Sequence, residues 1–133
     1  MKRSPGKLVL VVDDEPSITM TTAAILELNG FKAVTANDGA TALRLALNLR
    51  PDLVLTDVVM PGMNGVQLAI ALREKLPRLK IIMFSGNAGT PDLLAGARRR
   101  GYNFTLLAKP VPLDEMLDAI HHALRPHSGV AAA

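Results

Sequence analysis

Short apolar runs alternate with stretches of helical spacing along this chain, and that alternation leaves few folds open. The runs lie at residues 7–12, 31–36, 51–57, 80–84 and 104–108. Leu-Val-Leu-Val-Val at 8–12 and Leu-Val-Leu at 53–55 are continuous, as in strands buried on both faces. Between the runs come helix signals. Pro16 suits a first helical position, and Asp13, Asp14 and Glu15 before it suit a helix N-terminus. Asn29-Gly30 ends that helix, with Gly30 able to take the left-handed cap conformation. Asp38 offers a cap for the second helix, and Asn64 with Gln67 has the capping-box pattern for the third. Thr90-Pro91-Asp92 starts a fourth helix that stops at Gly101, and Pro112 opens a fifth that Pro126 closes. Five strands alternating with five helices over short loops predict an α/β fold, a parallel sheet covered on both faces.

Helical spacing assigns the inward faces. In the first helix it selects Ile18, Thr22, Ile25 and Leu28 or Asn29; in the second, Leu43, Ala46 and Leu47. The third helix presents Val66, Ala69, Ile70 and Leu72 or Arg73, and the fifth Leu113, Met116, Leu117, Ile120 and Leu124.

A length of 133 residues favours one domain, read here as residues 7–125, with an N-terminal arm at 1–6 and a disordered tail at 126–133. With no tryptophan, one tyrosine and three phenylalanines, the core must be aliphatic. The absence of cysteine excludes disulfides and thiolate chemistry. No apolar stretch approaches the roughly 20 residues of a membrane helix, so a cytoplasmic protein with no membrane partner is expected. The net charge of +3 reads as a solvated surface. Arg98-Arg99-Arg100 falls at a helix end, where cations complement the dipole. No basic stripe with interleaved aromatics is visible in the chain, and no direct nucleic-acid contact is expected. His121 and His122 are adjacent, which is the wrong spacing for a metal pair on a helix.

The chemistry gathers where strands end. Asp13 and Asp14 follow the first strand, Asp57 ends the third, Ser85 follows the fourth, and Lys109 follows the fifth. With sheet order 2-1-3-4-5 these ends are neighbours, at the edge where open parallel sheets do their chemistry. Carboxylates crowded together repel one another unless a cation joins them. Oxygen-only ligands in an open site suit Mg²⁺. Lys109 suits a phosphate or carboxylate oxygen, Ser85 is a small donor, and Gly86 leaves room for an entering group. Asp57 is then a plausible phosphoryl acceptor.

The blocks that carry these residues resemble the receiver domains of two-component response regulators, in the single-domain, chemotaxis-receiver-like form. They are Val11 to Glu15, Asp57 with the Met60 to Gly65 turn, Ile81 to Gly86, and Lys109-Pro110. The resemblance spans about residues 6–125 and implies a flavodoxin-like, doubly wound sheet. It implies Asp57 as phosphoacceptor, fed by a histidine kinase or a histidine phosphotransfer protein. It implies Asp13 and Asp14 as Mg²⁺ ligands, Asp14 more directly, with Asp57 and the backbone carbonyl of Val59. Ser85 would hydrogen-bond a phosphoryl oxygen and shift as it arrives, Lys109 would pair with that group, and the Lys109-Pro110 bond would be cis. A downstream protein would read the face of strand 4, helix 4 and strand 5. One position departs from the pattern. Leu106 stands where many receivers carry Tyr or Phe, and the interval from Gly101 to Lys109 is one residue longer than the resemblance implies.

Two other readings share these residues. A phosphohydrolase of the haloacid dehalogenase type also uses an Asp after a strand with Ser or Thr, Lys and Mg²⁺. It wants a second acid two residues on, where this chain has Val59. A degenerate receiver would keep the fold as a phosphate-independent docking module. Within a receiver, the chain reads as a phosphorylated signalling domain and not a turnover enzyme. It would be a stand-alone switch, a phosphorelay intermediate, or a piece of a longer regulator.

Overall fold

The computed structural model describes residues 6–86 and 90–126. Nearly all of the expected arm and tail, and His127, lie outside the described residues. The order is β1 (Leu8–Val12), α1 (Pro16–Leu28), β2 (Lys32–Ala36), α2 (Gly39–Leu49), β3 (Leu53–Asp57), α3 (Gly65–Lys75), β4 (Lys80–Ser85), α4 (Thr90–Arg99), β5 (Thr105–Ala108) and α5 (Leu113–Leu124). All pairings are parallel, in the order β2-β1-β3-β4-β5. This is the doubly wound, flavodoxin-like sheet that the sequence implies.

Strand side chains alternate between the two faces. Leu10, Val12, Val54, Ile81 and Met83 pack against Ala42 and Ala46 of α2, Leu68 and Leu72 of α3, and Ala97 of α4. Val9, Val11, Leu53, Leu55 and Ile82 pack against Leu26 of α1 and Met116 and Ile120 of α5. Leu10, Leu53, Leu55, Leu68 and Leu72 are fully buried; burial of such a side chain contributes about 1.5–3 kcal/mol.

The caps fall where the sequence puts them. Pro16 takes the first turn of α1, and Gly30 beyond it has φ 92°. Asp38 accepts from the Thr41 N–H at 2.7 Å. Asn64 and Gln67 exchange both capping-box bonds, at 2.9 and 2.8 Å.

Three helix faces differ from the spacing argument. In α1 the buried residues are Thr19 and Leu26, while Ile18 is 40% and Leu28 is 86% exposed. Thr19 can go inside because its hydroxyl is satisfied, donating to the Pro16 carbonyl at 3.1 Å and accepting from Asn37 Nδ2 at 3.1 Å. In α2 the buried side chains are Ala42 and Ala46, and Leu47 is exposed. Leu113 of α5 is likewise exposed. His121 packs its ring 5.3 Å from that of Phe31, and His122 is exposed. No helix among the described residues is long and apolar enough to cross a membrane.

Candidate functional site

β1 and β3 are adjacent and in register from Val9–Leu53 to Val12–Thr56. Their carboxyl ends therefore deliver Asp13 and Asp57 to the same edge. Asp13, Asp14 and Asp57 each offer a carboxylate oxygen, and the three atoms lie within 4.8 Å of one another. Asp13 is buried, Asp57 half-buried and Asp14 exposed, so the cluster opens to one side.

Neighbouring groups hold these carboxylates. Asp13 Oδ1 accepts from the Glu15 N–H at 3.0 Å, and Asp57 Oδ1 accepts from the Val58 N–H at 2.9 Å. Asn37 Nδ2 donates to the Asp13 carbonyl at 2.9 Å, tying the end of β2 to the end of β1. Burial is the main reason the Asp13 carboxyl is pushed above the usual range. The charges of Asp57 and Asp14 add to that shift, while the Glu15 N–H and Lys109 oppose it.

Lys109 leaves the end of β5 and turns back over the cluster. Its Nζ stands 3.3 Å from Asp57 Oδ1 and 3.8 Å from Asp13 Oδ2. Ser85 ends β4 beside β5, and its carbonyl accepts from the Lys109 N–H at 2.8 Å. The Lys109-Pro110 bond is cis, as the resemblance implies. A Cβ at Gly86 would lie 3.2 Å from the Lys109 Cβ, so the missing side chain leaves room for the lysine stem. Val59 follows in the β3–α3 loop and is 39% exposed. Beside the cluster, a cavity of about 570 Å³ opens between α1 and α5, reaching from Asp13 and Lys109 to Ile18 and Met116.

Sequence reasoning misses two supports of this edge. Thr56 is fully buried and its Oγ1 donates to the Asp57 carbonyl at 2.9 Å. Gly65 packs against the backbone of Asp57 and Val58, and its N–H donates to the Val58 carbonyl at 2.7 Å. A signal for Gly65 exists: once Asn64 is the cap, Gly65 is the first helical residue, where helix propensity disfavours glycine.

Leu106 pairs in register with Met83 and is 39% exposed. Asn87, two residues after Ser85, lies outside the described residues.

Known proteins resemble this chain in sequence and in fold. The profile of the response regulator receiver domain matches residues 9–121. The probable transcriptional regulatory protein TcrX of Mycobacterium tuberculosis is 32% identical over 94% of this chain and 53% of its own length. The transcriptional regulatory protein GlrR of Escherichia coli is 33% identical over 93% of this chain and 27% of its own length. The chain thus spans between a quarter and about half of these curated relatives. Among solved structures, a receiver domain protein from Clostridium thermocellum superposes with TM-score 0.80 at 28% identity, covering 89% of this chain and 94% of that one. Response regulator TrrA of Thermotoga maritima, solved in complex with Mg(2+)-BeF, gives TM-score 0.78 at 30% identity, covering 89% of this chain and 99% of that one. The profile match over most of the chain and the superposition on solved receiver domains carry the same conclusion: this chain belongs to the response regulator receiver domain family.

Proposed function

We propose that Asp57 accepts a phosphoryl group from a phosphohistidine on a histidine kinase or a histidine phosphotransfer protein, and that a protein partner reads the resulting change of surface. The observation that carries this reading is Lys109 Nζ, 3.3 Å from Asp57 Oδ1 beside two further carboxylates.

In the transfer an Asp57 carboxylate oxygen forms a bond to phosphorus, and the bond from phosphorus to the imidazole nitrogen breaks. The bonding pair returns to the ring, and an acyl phosphate is left on Asp57. Lys109 pairs with one transferred oxygen and the Ser85 hydroxyl donates to another, so the charge gathering there meets fixed partners.

The donor set fits Mg²⁺. All its ligands are oxygens, the three carboxylates converge within 4.8 Å, and a divalent cation would relieve the repulsion that adds to burial in raising the Asp13 pKa. Asp13, Asp14, Asp57 and the backbone carbonyl of Val59 would hold it. When bound, the ion supplies positive charge to the transferred oxygens. The Mg(2+)-BeF complex of TrrA supports an ion at this cluster.

The domain, residues 7–125, works as a cytoplasmic phosphorylated switch, with self-phosphorylation from small donors and self-dephosphorylation as its only chemistry. The downstream surface is the β4, α4 and β5 face, where Leu106 exposes apolar area. Val59 offers no second acid for a dehalogenase-type phosphohydrolase. Lys109 on Asp57 speaks against a receiver that has abandoned phosphate.

The test is incubation with Mg²⁺ and acetyl phosphate, followed by intact mass. One added phosphoryl group on the wild type and none on Asp57→Ala is expected. No gain on the wild type overturns the reading.

A further inference from the structure

The two ends of the sheet carry opposite charge. Asp13, Asp14 and Asp57 stand at the carboxyl ends of the strands. At the other end, where helices run into strands, cations gather. Arg50 follows α2, Arg73 and Lys75 close α3, Arg78 lies in the next loop, and Lys80 starts β4. These five line two adjoining concavities of about 410 and about 500 Å³, which share Pro77, Arg78 and Leu79.

The nearby carboxylates are already engaged. Asp52 Oδ2 accepts from the Leu8 N–H at 2.8 Å, and Glu74 accepts from the Tyr102 hydroxyl at 3.0 Å. Among the described residues, the ion pairs are those of Lys109 at the opposite end of the sheet. None of the five therefore stands in an ion pair among the described residues, although Asp52 lines the first concavity with them.

Aromatic rings order one flank. The Arg73 guanidinium lies 5.3 Å from the Phe104 ring centre. Phe104 stacks on Tyr102 at 6.0 Å, and Arg100 lies 5.8 Å from the Tyr102 ring. The stack fixes two guanidinium groups in orientation, which lowers the entropy lost when they bind an anion. The Arg73 Nε is buried without a hydrogen-bond partner.

We infer that this face docks an acidic protein segment carrying apolar side chains. Carboxylates of the segment meet the cations. Its apolar side chains enter the concavities, whose linings include Leu76, Pro77 and Leu79. Single-stranded nucleic acid fits less well, because it wants open ring faces for its bases. Here each ring already carries a guanidinium and stacks on the other. The surface lies at the far end of the strands from Asp57 and Lys109, so its occupant leaves the phosphoryl site open.

Fluorescence anisotropy of the full chain with four probes tests this: an alternating Glu–Leu peptide, an alternating Glu–Ser peptide, a mixed-sequence single-stranded oligonucleotide, and vesicles of anionic phospholipid. The Glu–Leu peptide is expected to bind tightest and to weaken with added salt. Lys75→Glu with Arg78→Glu should weaken it roughly tenfold or more. Both residues are exposed, so the far-UV circular dichroism of the double variant should match the wild type. Arg50→Glu, a separate exposed change, should weaken the peptide in the same direction. Tighter binding of the oligonucleotide or the vesicles, equal binding of the Glu–Ser peptide, no peptide binding, or indifference to the charge reversals overturns the inference.

Discussion

Gly65 lies so close to Asp57 that a methyl group at position 65 would overlap the Asp57 carbonyl oxygen. The same methyl would lie 2.9 Å from the Val58 Cα. Two effects compete in Gly65→Ala. Helix propensity favours alanine by roughly 0.5–1 kcal/mol. The overlap is with backbone that β4 holds, through the Asp57–Phe84 pairing and the Val58 N–H on the Phe84 carbonyl, and forcing such a contact costs about 1–3 kcal/mol. The clash wins. Gly65→Ala should lower the urea midpoint and weaken Mg²⁺ binding, because the loop carrying Val59 must move. An unchanged midpoint with unchanged Mg²⁺ affinity would contradict this.

Asp13→Asn should separate the metal site from the fold. The carboxylate is buried among like charges. Removing its charge should raise the stability of the metal-free protein by an amount on the order of 1 kcal/mol, and its thermal midpoint with it. The amide oxygen can still accept from the Glu15 N–H. In Mg²⁺ the order should reverse, since the wild type gains stability from the ion and the variant gains little. Thermal melts with Mg²⁺ and with a chelator decide it; a variant less stable than wild type in chelator rejects the repulsion argument.

Asp38 gives a pH prediction with a definite sign. The Thr41 N–H, then the Thr41 hydroxyl, hold its carboxyl below the usual 3.8. A depressed folded value means the stabilisation is present above 3.8 and is lost as the pH falls through the folded value. Asp38→Ala should therefore melt below the wild type at neutral pH, with the gap shrinking in acid. A gap that stays constant, or widens, toward low pH would show that the charged cap is not the cause.

Much of this protein is legible because strand ends are local events. An apolar run stops at Val12, Thr56 or Phe84 and the next residues carry the chemistry, so the site follows once the strand order is known. Caps are equally local, and Asp38 and Asn64 are read from three or four residues each. Helix faces are not local. α1 buries Thr19, which is admissible only because Asn37 and the Pro16 carbonyl satisfy it, and Asn37 is a distant residue that reads as loop punctuation. α2 turns Ala42 and Ala46 inward and Leu47 outward, since small residues let it approach the sheet closely. The Arg73, Phe104, Tyr102 and Arg100 stack comes from two segments, α3 and the residues 100–104 that lead into β5. Arg100, Tyr102 and Phe104 are close in the chain, but only the fold brings Arg73 of α3 onto them.

Val59 bears on how long the phosphorylated state lasts. It stands two residues after Asp57 and is 39% exposed, beside the path an attacking water would take to the acyl phosphate. An apolar side chain there can neither accept nor donate a hydrogen bond and so cannot orient that water. Val59→Asn supplies both functions at similar volume. It should shorten the lifetime of the phosphorylated form, by roughly the tenfold that one well-placed hydrogen bond of about 1.4 kcal/mol confers. The ion ligand proposed at this position is the backbone carbonyl, which the substitution keeps, so loading from acetyl phosphate should be little changed. Following the loss of the phosphoryl group by intact mass checks it, and a lifetime unchanged or lengthened in Val59→Asn shows that water positioning at this residue does not limit hydrolysis.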